Sequence, residues 1–169
     1  AQLYRQGGDP GKAGEIYARL GRLDEAAACM KEAGRPKDAS AVTARYYESQ
    51  GKWKEAAQSH EAAGAFRPAA DCWSRVGEFL RAAKCYETAG EFYRAGLALV
   101  HGGQWAAAIR QLQKVKEIHP QFNESRGLLG RSFYELKDFA HSAAALENHL
   151  TGARVTSDNI QYFWMLALA

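Results

Sequence analysis

Three cysteines, five histidines and a scatter of carboxylates are the residues of this chain that could do chemistry. Thiolates and imidazoles at short, regular spacing would hold zinc, and paired thiols would form disulfides. Cys29, Cys72 and Cys85 fit neither pattern: no CxxC occurs, their number is odd, and no histidine stands at ligand spacing to them. They share a phase instead, each falling eight residues after a glycine (Gly21, Gly64, Gly77). A shared phase implies a shared environment, so they read as small buried apolar residues, reduced as in a cytoplasm, with no metal expected. His60 falls nine residues after Gly51, where other blocks carry Tyr17, Met30, Thr43, Trp73, Tyr86, Leu99 and Leu112. It reads as a variant of a core position, not a ligand. His119 precedes Pro120 in a turn, and His141 and His149 stand eight apart, about two helical turns. The pair Asp24–Glu25 reads as helix N-terminal charge. The sequence has no HExxH, GxSxG, GxGxxG or glycine-rich phosphate loop. No catalytic constellation and no cofactor site is expected, and an enzyme is the least supported class.

The elements that carry these residues follow a beat. Glycines stand thirteen apart at 8, 21 and 34, and again at 51, 64, 77, 90 and 103. Alanine follows each by five residues: Ala13, Ala26, Ala39, Ala56, Ala69, Ala82, Ala95 and Ala108. Two residues after each glycine stand Pro10, Leu23, Pro36, Trp53, Phe66, Phe79, Phe92 and Trp105. Such self-similarity is the mark of a repeat architecture. Within a block, apolar or small residues recur at the 3–4 spacing of one helix face. Glycine suits the left-handed turn past a helix end, and Pro10, Pro36 and Pro68 fall in first turns, where a missing N–H costs little. Each block is one helix of roughly ten residues, marginal alone and stable only against its neighbours. The step from Gly34 to Gly51 has four extra residues, about one turn, so the helix ending near Gln50 projects further. Its added turn carries Arg45, Tyr46, Tyr47 and Glu48, whose tyrosines either cover a neighbouring helix end or form an aromatic contact at the rim.

The chain has 169 residues, 47% hydrophobic, with a net charge of +3. No run of eighteen apolar residues occurs, so no membrane insertion is expected. The mild charge gives no argument for nucleic acid. No signal peptide is visible, and the Ala, Gly and Arg richness gives an impression of bacterial origin. Beginning without Met and stopping inside "YFWMLALA", the sequence is read as a piece of a longer protein.

After Gly103 the beat lengthens, and Gly96 and Gly130 stand 34 apart. Here the chain resembles the tetratricopeptide repeat family, whose motif runs W-x2-L-G-x2-Y, then A-x3-F, then P. One copy reads Phe92-x2-Ala95-Gly96-x2-Leu99, Ala108-x3-Leu112, Pro120. The next reads Arg126-x2-Leu129-Gly130-x2-Phe133, then Ser142-x3-Leu146 without a closing Pro. A third starts at Phe163-x2-Leu166-Ala167, delayed by the segment "TGARVTSDN". "GQWAAAIRQLQKVKEIHP" is expected to be a longer helix ended by Pro120. The organisation expected is a single array over 1–169: short repeats over 8–88, full repeats over 89–122 and 123–156, and a truncated first helix over 160–169.

The resemblance implies an all-α fold, an α-solenoid wound as a right-handed superhelix of antiparallel helix pairs. It also implies that first helices line a concave surface while second helices face outward. First helices then begin after Gly8, Gly34, Gly64 and Gly90. The groove-facing positions implied are Tyr93, Leu97 and His101, then Arg131 and Tyr134, then Trp164 and Leu168. In the short repeats the same phase gives Arg67, Asp71 and Arg75, then Lys37, Ala41 and Arg45, then Glu15 and Arg19. The Lys/Asn clamp with which some family members grip chaperone tails is incomplete, because Tyr93, Leu97 and Arg131 occupy its positions. The function implied is a non-catalytic scaffold for a protein partner, either an acidic segment or a folded domain such as a small GTPase. Carboxylates of that partner would meet Arg67, Arg75 and Arg131, and its apolar residues Tyr93, Tyr134 and Trp164. Two alternatives are RNA binding, for which no repeated two-residue code is present, and self-association through the apolar C-terminal helix.

Overall fold

A computed structural model describes residues 1–151, 156 and 159–168. The described residues form helices and turns, with no strand among them. In chain order the helices are α1 (Gln2–Gln6), α2 (Pro10–Arg19), α3 (Leu23–Glu32), α4 (Pro36–Ser49), α5 (Trp53–Ala63), α6 (Phe66–Arg75), α7 (Phe79–Thr88), α8 (Phe92–His101), α9 (Trp105–Leu112), α10 (Phe122–Glu135), α11 (Phe139–Leu150) and α12 (Ile160–Leu168). Contacts divide the chain into an N-terminal unit, Ala1–Glu78, and a C-terminal unit, Phe79–Ala169. Within each unit, helices consecutive in sequence pack side by side, the arrangement of an α-solenoid repeat.

The beat is stereochemical. All eight repeat glycines have φ between 67° and 82°, and a helix begins two residues after each. At Gly21 the amide donates to Ala18 O (3.2 Å) while Arg22 N–H donates to Tyr17 O (3.0 Å). This pair of bonds is the Schellman closure, which needs a left-handed residue at its hinge. The same closure recurs where no glycine stands: Lys137 has φ 62°, its N–H reaches Tyr134 O, and Asp138 N–H reaches Phe133 O. Lys137 is 34 residues after Gly103, so the beat continues into the last hairpin with a lysine as hinge.

The packing seam is made of small residues. The eight repeated alanines are fully buried. In α11 Ser142 takes their place, also fully buried, and its Oγ donates to Gly130 O at 2.9 Å, which satisfies the hydroxyl. Gly96 and Gly130 let their helices close down on Leu112 and Leu146: a Cβ on Gly96 would lie 2.5 Å from Leu112 Cγ, and one on Gly130 2.4 Å from Leu146 Cγ. In the C-terminal unit the first helices of successive repeats touch directly, α8 with α10 and α10 with α12.

Two details differ from the sequence reading. α1 precedes the first repeat glycine, where no helix was expected. The expected long helix to Pro120 stops at Leu112. There the amides of Lys114 and Val115 bond three residues back, to Gln111 and Leu112, which tightens the chain out of α geometry and turns Val115 into the core. The extension of α4 is as expected, a helix through Ser49, with Tyr46 exposed and Tyr47 half-buried, their rings 5.8 Å apart. The third copy begins in α12; of the delaying segment, residues 152–155, 157 and 158 lie outside the described residues, as does 169.

Candidate interaction surface

The C-terminal unit gathers part of the expected site. Tyr93 on α8, Glu124 and Leu128 on α10, His149 on α11, Thr156 and Asn159 ahead of α12, and Tyr162 in its first turn line a hollow of about 390 Å3. Burial raises the Tyr93 phenol above its ordinary value, with Glu124 and Tyr162 adding to it. Burial likewise raises that of Tyr162, which the neighbouring Arg131 guanidinium partly offsets. The His149 ring meets Tyr162 edge-on at 5.2 Å, and its Nδ1 is buried without a hydrogen-bond partner. Gly127 is what admits His149, since a Cβ there would come 2.9 Å from its Nε2. Arg131 is half-buried, its guanidinium 5.7 Å from the Trp105 ring centre and its Nε buried without a partner. A cation held against an aromatic face suits a carboxylate ligand.

The remaining expected residues scatter. Leu97 is half-buried on α8. Tyr134 is half-buried and packs edge-on against Phe139 at 5.6 Å. His101 is exposed at the end of α8, its ring 5.5 Å from Phe79 on α7. Trp164 is 64% exposed on α12, beside Ile160, Phe163 and Ala167. A second hollow, about 470 Å3, also touches Tyr93 and is lined by the start of α8 and by the turns from Lys114 to Pro120 that replace the expected helix. In the N-terminal unit Arg67 is exposed in the first turn of α6, and Arg75, in its last turn, lies over the Trp53 ring at 4.4 Å. Arg75 thus already serves its own unit as a stacking cation.

Of the seven residues that line the hollow, sequence reasoning placed only Tyr93 in a site; Glu124, Leu128, His149, Thr156, Asn159 and Tyr162 were not placed there. His149 belongs to a helix expected to face outward, and Tyr162 to the helix whose start is delayed. The signal available was small: His149 was the one histidine sharing a helix with another, eight residues from His141.

A second cluster was also missed. Glu48 Oε1 at the end of α4 lies 3.0 Å from His60 Nε2 on α5 and 3.6 Å from Cys72 Sγ on α6. Burial, and Glu48 beside it, push the Cys72 thiol up to about 11. That is the reverse of an activated nucleophile, whose thiol is lowered by positive surroundings. Chain spacing had set the cysteines and histidines apart, but packing of three successive helices brings two of them together.

Successive antiparallel helices joined by the same left-handed hinge define a helical-repeat protein. A family model described as tetratricopeptide repeat matches residues 92–121, which span α8, α9 and the turns after it, and the repeated helices on both sides are consistent with a tetratricopeptide-like repeat. Repeats of this family generally mediate protein–protein interactions and are typically non-catalytic. No curated protein matches the chain significantly. No helix of the described residues is long and apolar enough to cross a membrane.

Proposed function

We propose that the face built by α8, α10 and α12 docks an acidic, apolar-studded segment of a protein partner. The observation that carries this reading is the half-buried Arg131 guanidinium, set against Trp105 and beside Tyr162, next to the hollow lined by Tyr93, His149 and Tyr162. A carboxylate of the segment meets Arg131, and its apolar side chains enter the hollow against Tyr93 and Leu128. Charge governs encounter, and the buried aromatic contacts govern dissociation. Tyr134 and Leu97 extend the contact along α10 and α8. Arg67 and Arg75 belong to the other unit.

The test is selection of binding peptides from a displayed random library on the whole chain, followed by affinity measurement on variants. A Tyr93→Ala, Arg131→Gln double variant is expected to bind the selected peptides at least about tenfold more weakly, given the magnitudes of interface anchors. Arg110→Gln, an exposed change on α9, is expected to leave affinity unchanged. Equal binding to all three proteins refutes the site. A self-association reading is favoured by one observation, the exposed Ile160, Trp164 and Leu168 on α12; light scattering of the wild type and of Trp164→Glu separates it from docking.

A further inference from the structure

Two departures from the repeat meet at one point of the N-terminal unit. The first is the four-residue extension of α4, the one break in the glycine beat between Gly8 and Gly103, which brings Glu48 to the end of that helix. The second is His60. At its position in the other second helices stand Met30, Tyr86, Leu112 and Leu146, all buried apolar or aromatic residues, whereas His60 is buried at 7% exposure. The added turn thus delivers a carboxylate to the one imidazole in that row. α6 closes the third side with Cys72, also buried.

The three donor atoms converge. Glu48 Oε1, His60 Nε2 and Cys72 Sγ lie within 4.8 Å of one another, with O···N 3.0 Å and O···S 3.6 Å. Zinc takes nitrogen at ~2.0–2.1 Å, sulfur at ~2.3 Å and oxygen at ~2.0–2.2 Å, so donors at tetrahedral corners stand roughly 3.3–3.6 Å apart. Small side-chain adjustments bring this set to those separations. The chemistry selects the ion: a hard cation such as calcium or magnesium wants oxygen ligands, whereas a sulfur, an imidazole nitrogen and a single carboxylate suit a borderline-soft one. His60 and Cys72 are buried and Glu48 is half-exposed, so a fourth position opens toward water.

We propose that Glu48, His60 and Cys72 bind one zinc ion, which fastens the extended end of α4 to α5 and α6. On binding, the Cys72 S–H bond breaks, a Zn–S bond forms, and the proton passes to buffer; nothing is oxidised or reduced. His60 Nδ1 has no hydrogen-bond partner, so no outer group orients the ring, and the site belongs with the weaker zinc sites.

The experiment uses the whole chain without an affinity tag, freed of metal by chelator. Cobalt(II) is titrated first as the spectroscopic stand-in for zinc. The result expected is one cobalt per chain, with thiolate-to-cobalt charge transfer in the near ultraviolet and tetrahedral d–d bands in the visible, both abolished by one equivalent of zinc. Zinc is also expected to raise Tm. Cys72→Ala should lose the charge-transfer band. Glu48→Gln and His60→Met should weaken zinc binding by more than the roughly 10–100-fold that loss of an outer partner costs. Methionine already occupies the His60 position in the first repeat, so His60→Met is expected to keep the helical circular dichroism of the parent. Cys29→Ala and Cys85→Ala should bind as the parent does. No stoichiometric binding, or zinc held equally well by Cys72→Ala, overturns the proposal and leaves a hydrogen-bonded cluster only.

Discussion

Replacing Gly96 with alanine puts the close approach of α8 and α9 to a quantitative test. In a helix interior alanine is favoured over glycine by about 1 kcal/mol, so on an open surface the change would stabilise. Here the new Cβ would sit 2.5 Å from Cγ and Cδ2 of Leu112, well inside the ordinary contact of roughly 3.5–4.0 Å. Leu112 is 1% exposed and has no room to swing aside. Over-packing of this kind costs about 1–3 kcal/mol, so the net effect is a loss of ~0–2 kcal/mol. Leu112→Ala alone should cost about 2–5 kcal/mol through its cavity. In that background Gly96→Ala meets no clash, keeps its helix preference and fills part of the void. It should then stabilise by roughly 1–2 kcal/mol, a reversal of sign and a coupling of about 2 kcal/mol. The assay is urea unfolding followed by far-ultraviolet circular dichroism on the four proteins of the cycle. A single Gly96→Ala variant that gains about 1 kcal/mol would refute the reasoning, because the seam would then have room for the added methyl.

The same logic transfers to Gly130 over Leu146, where the Cβ distance is 2.4 Å and a cycle should give the same reversal. Lys137→Gly should stabilise by about 0.5–1 kcal/mol, since it relieves a side chain of the left-handed hinge at some cost in chain entropy, and Gly64→Ala, at φ 78°, should cost about 1 kcal/mol; thermal unfolding reads both. Asp9 and Asp138 cap α2 and α11, and both are held below the ordinary carboxylate value: Asp9 by the Lys12 amide and then its ammonium, Asp138 by the His141 ring and then its amide. A lowered native value means stability that is present above the unfolded value, near 3.9, and lost as pH falls through the native one. Tm followed from pH 5 downward should therefore drop less steeply in an Asp9→Asn, Asp138→Asn variant, which keeps the capping acceptor but not the charge; an unchanged acid slope would remove these caps from the account.

Much of the fold was legible because its hinge is a matter of stereochemistry. Glycine enters the left-handed turn most readily, so its recurrence marked where α2 through α9 follow, each beginning two residues after its glycine. The reading faltered where other residues did the same work. Lys137 holds the same hinge by virtue of its surroundings, and no propensity announces that. Pro120 looked like a helix stop, but α9 ends eight residues earlier because Val115 turns inward to the core, a tertiary preference invisible in the local pattern. For the proposed docking face, repeat phase pointed to Tyr93, Leu97, Arg131 and Tyr134 but not to His149 and Tyr162, whose positions depend on how α11 and α12 end and begin. Glu48, His60 and Cys72 stand twelve apart on three helices, a spacing that carries no ligand signature. The usable signal was the coincidence of an added turn with a polar residue in an apolar row.

The docking face itself is tested most directly by mapping amide and methyl chemical shifts of the isotope-labelled chain as a selected acidic peptide is added. The account predicts that perturbations concentrate on Tyr93, Leu97, Arg131, Tyr134 and Tyr162, along α8, α10 and the start of α12. Perturbations confined to the exposed residues of α9 and α11, with that inner face silent, would contradict it.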